Sequence, residues 1–171
     1  MSSDPYSAKA KELPVESGLV RQDRKKLAGM LGSALASSYV LYHKTHAYHW
    51  NVTGAMFYSV HKLTDEQYQD LAVAIDEIAE RIRAIGFAAP TGLAAYAEES
   101  VIKDVSGIPE AGEMIEELAR DHQSVAASFR DIVEEAEKVG DVFTADLLTA
   151  RIGVHEEASW MLNAMMVKSS D

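Results

Sequence analysis

The four prolines of the 171-residue chain, Pro5, Pro14, Pro90 and Pro109, leave two long stretches, 15–89 and 110–171, with none. Proline removes a backbone donor and clashes with the preceding turn, so only stretches without it hold long uninterrupted helices. Each stretch is broken once. In the first, Asn51-Val52-Thr53-Gly54 combines helix-ending residues with β-branched ones; in the second, Gly140 is suited to ending one helix and Asp141 to capping the next. Four long helices follow, over roughly 22–50, 56–86, 109–139 and 141–167.

The segment 87–108 is too long for a hairpin loop, and its Leu93–Glu99 run of helix formers predicts a short extra helix. A link of that length carries the chain the full length of a bundle before the third long helix begins, which is the connectivity of an all-α, ferritin-like four-helix bundle. No strand pattern, repeat or Gly-rich phosphate loop competes with it. In the second helix Tyr68, Leu71, Ile75, Ile78, Ile82 and Ile85 step by three and four and form a core seam. In the fourth, Leu147, Leu148, Ile152, Trp160, Met161, Ala164 and Met165 are the expected core contribution. The length suits one domain: a flexible amino-terminal tail over 1–21, then the bundle over 22–168.

The chain has no Cys, which excludes disulfide scaffolds, cysteine metal sites and thiol catalysis. No amino-terminal apolar stretch resembles a signal sequence and no run approaches the ~18 apolar residues of a membrane span; the expectation is a cytoplasmic protein with no membrane partner. Sixteen Lys and Arg against 27 Asp and Glu give a net charge of −11. Residues 1–26 hold six basic and four acidic residues, so the acidity lies in the body. Such a body repels nucleic acid and attracts cations.

Two pairs of potential ligands, His61 with Asp65 and Asp76 with Glu80, each span four residues on the second helix and therefore stack on one face. At ~100° per residue that face is distinct from the apolar seam. Asp65 and Asp76 lie about 16 Å apart along the axis, whereas ligands of one ion converge to ~2.0–2.2 Å from it. One chain cannot place both pairs on one ion. A second copy running antiparallel across a twofold axis near residues 70 and 71 lays Asp76 and Glu80 of one subunit opposite Asp65 and His61 of the other. His49, just before the Asn51–Gly54 reversal, can approach His61. Two imidazoles with three carboxylates suit Fe(II), Mn(II) or Zn(II) better than Cu(I). The chain contains no Glu-x-x-His pair, which argues against a di-iron site inside a single bundle.

The run His49-Trp50-Asn51-Val52-x-Gly54-x-x-Phe57-x-x-x-His61-x-x-x-Asp65, followed by Asp76-x-x-Ala79-Glu80-Arg81-Ile82 and Gly86, resembles the signature of the Dps family, DNA-binding proteins from starved cells or miniferritins. The likeness spans all four long helices, including Asp146-Leu147-Leu148-Thr149 and the Trp160 region, and is weakest in the amino-terminal tail. It implies a hollow homododecamer whose ferroxidase ligands are His49, His61 and Asp65 of one subunit with Asp76 and Glu80 of its twofold mate. It further implies an oxidoreductase that oxidises Fe(II) with hydrogen peroxide, or more slowly with oxygen, and stores ferric oxyhydroxide in the cavity. Two-electron reduction of peroxide would spare DNA from hydroxyl radical.

By the same resemblance Trp50 intercepts stray oxidising equivalents; a packed aromatic at a helix end is the equal alternative. His43 and His46 either extend the metal stripe or serve a subunit contact, and His122 and His155 are expected to be structural or exposed. In the family, acidic residues near the start of the fourth helix line the pores through which iron enters. Asp146 matches best, with Glu137 and Asp141 as weaker candidates that a solvated acidic face explains equally well. Zinc or another divalent metal in the same site would make a sequestering cage. The tail has only Lys9 and Lys11 before Glu12, so DNA binding is expected to be weak, with nucleoid association as a possibility of location. A structural nucleoid protein that compacts DNA around an incidental metal site is the competing class.

Overall fold

A computed structural model describes residues 12–167. The proline-free stretches form α1 (Arg21–Asn51), α2 (Phe57–Ala84), α4 (Ala111–Val139) and α5 (Val142–Ala164), with the short α3 (Leu93–Glu99) in the crossover. Among the described residues there is no strand, and no helix is long and apolar enough to cross a membrane.

The breaks fall where the chain's local chemistry puts them. The α1–α2 turn closes through Gly54, at φ 87°, whose carbonyl accepts from Phe57 N–H at 3.1 Å. Gly140, at φ 79°, ends α4: its own N–H returns to Glu137 O at 3.1 Å and that of Asp141 to Ala136 O at 2.8 Å. This paired return satisfies the last carbonyls of a helix. Asp141 then caps α5 by accepting from Thr144 N–H at 3.1 Å.

Helix directions follow from cross-helix pairs. Lys44 meets Asp121, and Tyr48, later on α1, donates to Glu117, earlier on α4, so these helices are antiparallel. Arg151 meets Asp70 and Asp141 meets Arg81, so α5 is antiparallel to α2. The crossover spans the bundle because α2 and α4 both run against α1. Its α3 packs on α1, with Tyr96 stacked on Tyr39 at 4.7 Å.

The α2 seam is buried as expected at Leu71, Ile75, Ile78, Ile82 and Ile85, and meets Leu31, Leu35 and Leu41 of α1 with Leu118, Val125 and Phe129 of α4. Tyr68 is only half-buried. The expected α5 core needs correction. Leu148 and Leu162 are fully buried and Leu147, Ile152 and Met165 half-buried, but Ala164 is exposed, Met161 is 38% exposed and Trp160 67% exposed. The buried stripe of α5 runs through Thr144, Ala145, Leu148, Arg151, His155, Ala158, Ser159 and Leu162. Polar residues occupy half of it, which turns the larger apolar side chains outward.

Of the segment read as a tail, residues 1–11, with Lys9 and Lys11, lie outside the described residues. From Glu12 onward the chain is tied to the end of α2. Leu13 N–H donates to Gly86 O at 2.9 Å, Glu12 pairs with Arg21 at 2.6 Å, and Arg24 donates to Ile85 O at 2.8 Å. Gly86 sits at φ 101°, and a Cβ there would lie 2.9 Å from the Arg24 guanidinium and 3.0 Å from Leu13 O. Only glycine fits that close approach without strain.

His122 and His155 join α4 to α5 through Nδ1 atoms 2.9 Å apart, and both are buried. Burial pushes His122 down to about 4, with Arg151 adding to the effect, and pushes His155 down to about 2, helped by His122 and Arg151. Both are neutral in the folded protein, whereas an unfolded chain takes up a proton near pH 6.5. The unfolded state then binds more protons below that pH, so this contribution to stability is complete above 6.5 and is lost as pH falls toward 4 and below. The expected outcome is a calorimetric Tm that drops between pH 7 and pH 5, with a shallower drop in a His122→Leu/His155→Phe variant.

Candidate metal centre

His49 ends the buried face of α1, and the short turn brings it onto His61 in the second turn of α2. Their rings stack at 3.8 Å between centroids with 16° between planes. His49 Nδ1 lies 2.8 Å from His61 O and His61 Nδ1 lies 2.9 Å from His49 O. A carbonyl only accepts, so each Nδ1 carries a proton, and Nε2 is the ring nitrogen left to bind an ion. A fixed Nδ1–H acceptor is the usual support of a metal-binding imidazole. The exchange also satisfies the His49 carbonyl, one of the last four of α1 that lack an intrahelical donor. Thr64 lies beneath, with Oγ1 3.4 Å from His49 Nδ1, and Phe57 stacks on the outer side of His61.

Asp65 is one turn beyond His61 on the same face. Tyr68 Oη donates to its Oδ1 at 2.9 Å, and this hydrogen bond holds the carboxyl below the ordinary carboxylate range against a smaller opposing effect of burial. The Tyr68 ring is stacked on His46 at 4.1 Å, and His46 in turn lies 4.2 Å from Trp50. Burial lowers the His46 pKa, with smaller contributions from His49 and His43. His46 therefore belongs to an aromatic wall beside the candidate ligands, and Trp50, 61% exposed, is its outer edge. His43 points away, with Nδ1 3.1 Å from Asp104 of the crossover.

Asp76 and Glu80 are exposed on α2, and among the described residues neither makes a hydrogen bond or ion pair. Also among the described residues, no three His, Asp or Glu side chains converge into a metal site within one chain. One protomer thus carries two separate donor groups: His49, His61 and Asp65 near the turn, and Asp76 and Glu80 toward the far end of α2. Arg81 anchors that far end. It donates to Asp141 at 2.6 Å and to Thr144 Oγ1 at 2.8 Å, and Glu80 borders a groove of about 320 Å³ lined also by Glu77, Phe143 and Leu147.

The chain is similar to known proteins over most of its length. The model of the ferritin-like domain matches residues 29–170. A DNA protection during starvation protein of Brevibacillus brevis is 34% identical over 140 residues, covering 82% of this chain and 94% of that protein. A low temperature-induced protein of Nostoc sp. is 36% identical over 151 residues, 87% of this chain and 84% of its own length. The crystal structure of a Dps protein from Vibrio cholerae O1, described as a member of a broad superfamily of ferritin-like diiron-carboxylate proteins, superposes with a TM-score of 0.85 at 30% identity. It covers 92% of this chain and 100% of its own.

The chain belongs to the Dps family of ferritin-like proteins.

Not every residue suggested by the Dps resemblance is free to act. Asp141 is 3% exposed. Burial opposes its ionisation, but hydrogen bonds from Arg81 and from the Thr144 hydroxyl and amide hold its pKa below the ordinary value. It is a helix cap in a buried ion pair. Asp146 and Glu137 remain exposed on α5 and α4. Tyr68 is the supporting residue that the apolar seam concealed, and its three-residue spacing from Asp65 is the signal that locates it.

Removing the Tyr68 hydroxyl should leave the helix intact and free the Asp65 carboxylate to reorient. Tyr68→Phe is expected to weaken Zn(II) or Fe(II) binding by about tenfold, in line with other partners that hold a ligand in place. Titration calorimetry on the assembled protein checks this, and an unchanged affinity would remove Tyr68 from the site.

Proposed function

We propose that this Dps-family chain stores and detoxifies iron: Fe(II) is its substrate, oxidised at sites shared by twofold-related subunits and kept as ferric oxyhydroxide inside a cage of twelve chains. The observation that carries the reading is the reciprocal bond between His49 and His61. It directs both Nε2 atoms away from the backbone as the ring nitrogens left to bind, beside Asp65, while Asp76 and Glu80, without a partner among the described residues, stand on the same helix.

Each subunit contributes two imidazoles and a carboxylate from one end of α2 and two carboxylates from the other. This mixed nitrogen and oxygen set suits Fe(II). Asp65, Asp76 and Glu80 neutralise the incoming charge, and Tyr68 keeps the Asp65 oxygens in place. Two Fe(II) ions each give one electron to hydrogen peroxide, whose O–O bond breaks as a pair of electrons enters it. No hydroxyl radical is released. Water supplies the remaining oxygen of the ferric oxyhydroxide and the protons leave to solvent. Oxygen serves as a slower oxidant. Trp50 and His46, in ring contact beside the ligands, provide a place for stray oxidising equivalents to settle.

Protection of DNA follows from removing Fe(II) and peroxide together and needs no contact with DNA. The competing role in DNA compaction is not favoured by any feature of residues 12–167. A zinc or manganese cage would use the same ligands and differ in the ion held.

Stopped-flow absorbance after mixing Fe(II)-loaded protein with peroxide is expected to show rapid ferric formation, slowed at least about tenfold by Asp65→Ala and likewise by Glu80→Ala. Parental rates in both variants would show that the site lies elsewhere.

A further inference from the structure

The interior of the bundle holds a second polar cluster that iron oxidation at the twofold face does not use. Each long helix buries a polar side chain at about the same height: Thr45 of α1, Gln67 of α2, His122 of α4 and His155 of α5, all at most 8% exposed. The common height follows from neighbouring pairs, Lys44 with Asp121, Arg151 with Asp70, and His122 with His155. Among the described residues, Thr45 Oγ1, both amide atoms of Gln67 and Nε2 of each imidazole have no hydrogen-bond partner. Native proteins rarely leave so many buried polar atoms unmet in one place without a ligand or ordered water.

Two of these side chains reach an opening. Gln67 and His122 line a groove of about 370 Å³ between α2 and α5, whose walls carry Glu66, Asp70 and Glu157. Asp70 is held by both terminal nitrogens of Arg151, so that pair is neutral. Glu66 and Glu157 have no partner among the described residues and leave the groove with an uncompensated negative charge. The contact between His122 and His155 requires one Nδ1 to donate to the other. With His122 as donor its Nε2 lone pair is bare and belongs to the ring that lines the groove. A metal-binding imidazole is normally supported in this way.

We propose that the groove is a second cation site, in which His122 Nε2 and Gln67 Oε1 form the floor and a carboxylate of Glu66 or Glu157 closes the mouth around one divalent first-row transition ion per chain. Among the described residues no three imidazole or carboxylate groups converge on one point, and here the amide oxygen supplies the donor that a third such group would. Mixed nitrogen and oxygen donors select ions such as Zn(II), Co(II) and Fe(II) over Mg(II), which prefers oxygen alone, and over Cu(I), which seeks sulfur. The two free carboxylates match the charge of a divalent ion. The site lies within one protomer and does not depend on the proposed ferroxidase centre.

The test uses the assembled full-length protein carrying Asp65→Ala and Glu80→Ala, so the twofold ligands are already disabled. Equilibrium dialysis against Zn(II), with the visible spectrum of Co(II) as a second probe, is expected to find about one ion per chain in this background. Adding Gln67→Leu should abolish that ion and raise the Tm of the metal-free protein, because an apolar side chain of similar shape replaces a buried amide without partners. The double variant Glu66→Gln/Glu157→Gln changes only groove-wall carboxylates outside the core and should weaken binding at least about tenfold. No bound ion in the disabled background, or an ion whose affinity is unchanged by either change, overturns the proposal. Both outcomes are read without iron oxidation, so they stand apart from any failure of the ferroxidase assignment.

Discussion

Two imidazoles each give their Nδ1 proton to the other's backbone carbonyl across the α1–α2 turn, and the candidate centre depends on that exchange. It fixes both tautomers, aligns the rings, and satisfies a helix-end carbonyl that would otherwise need water. The fold-level contact and the chemical preparation of the ligands are one interaction. Breaking it would loosen the turn and free both rings to rotate, so that Nε2 would no longer be held where an ion must bind.

A complementary constraint acts at the other end of α2. Arg81 reaches across to Asp141, which also caps α5 and follows the glycine that ends α4. One guanidinium thus positions Glu80 relative to the start of α5. Removing one partner of a buried ion pair typically costs ~3–5 kcal/mol, because the remaining charge stays buried. The unbroken α2 between these two clamps keeps the donor groups at a set separation along its axis. Rigid elements of this kind hold a site more precisely than loops do.

Much of this was legible in the sequence because the physics involved is local. Proline positions, the Asn51–Gly54 and Gly140–Asp141 breaks and the apolar spacing of α2 located the helices, and four-residue spacing put His61 with Asp65 and Asp76 with Glu80 on one polar face. Partnerships distant in sequence were hidden. Asp141 reads as part of a solvated acidic face, but it is buried and paired with Arg81, sixty residues earlier. Trp160 and Met161 looked like core residues because the buried stripe of α5 is filled in part by Arg151, His155 and Ser159, which hydropathy assigns to the surface. The histidine pair between α4 and α5 and the reciprocal bond of His49 with His61 both required packing to be seen, the second because its acceptors are backbone carbonyls.

The central claim is that neighbouring subunits complete each oxidation site together, and complementation tests it most directly. Chains lacking only Asp65 and chains lacking only Glu80 are unfolded, mixed in equal amounts and reassembled. A twofold pair with one chain of each kind has one site whose five ligands are all present. Random pairing therefore predicts recovery of about one quarter of the parental rapid iron oxidation. Mixed assemblies no faster than either variant alone would contradict a shared site.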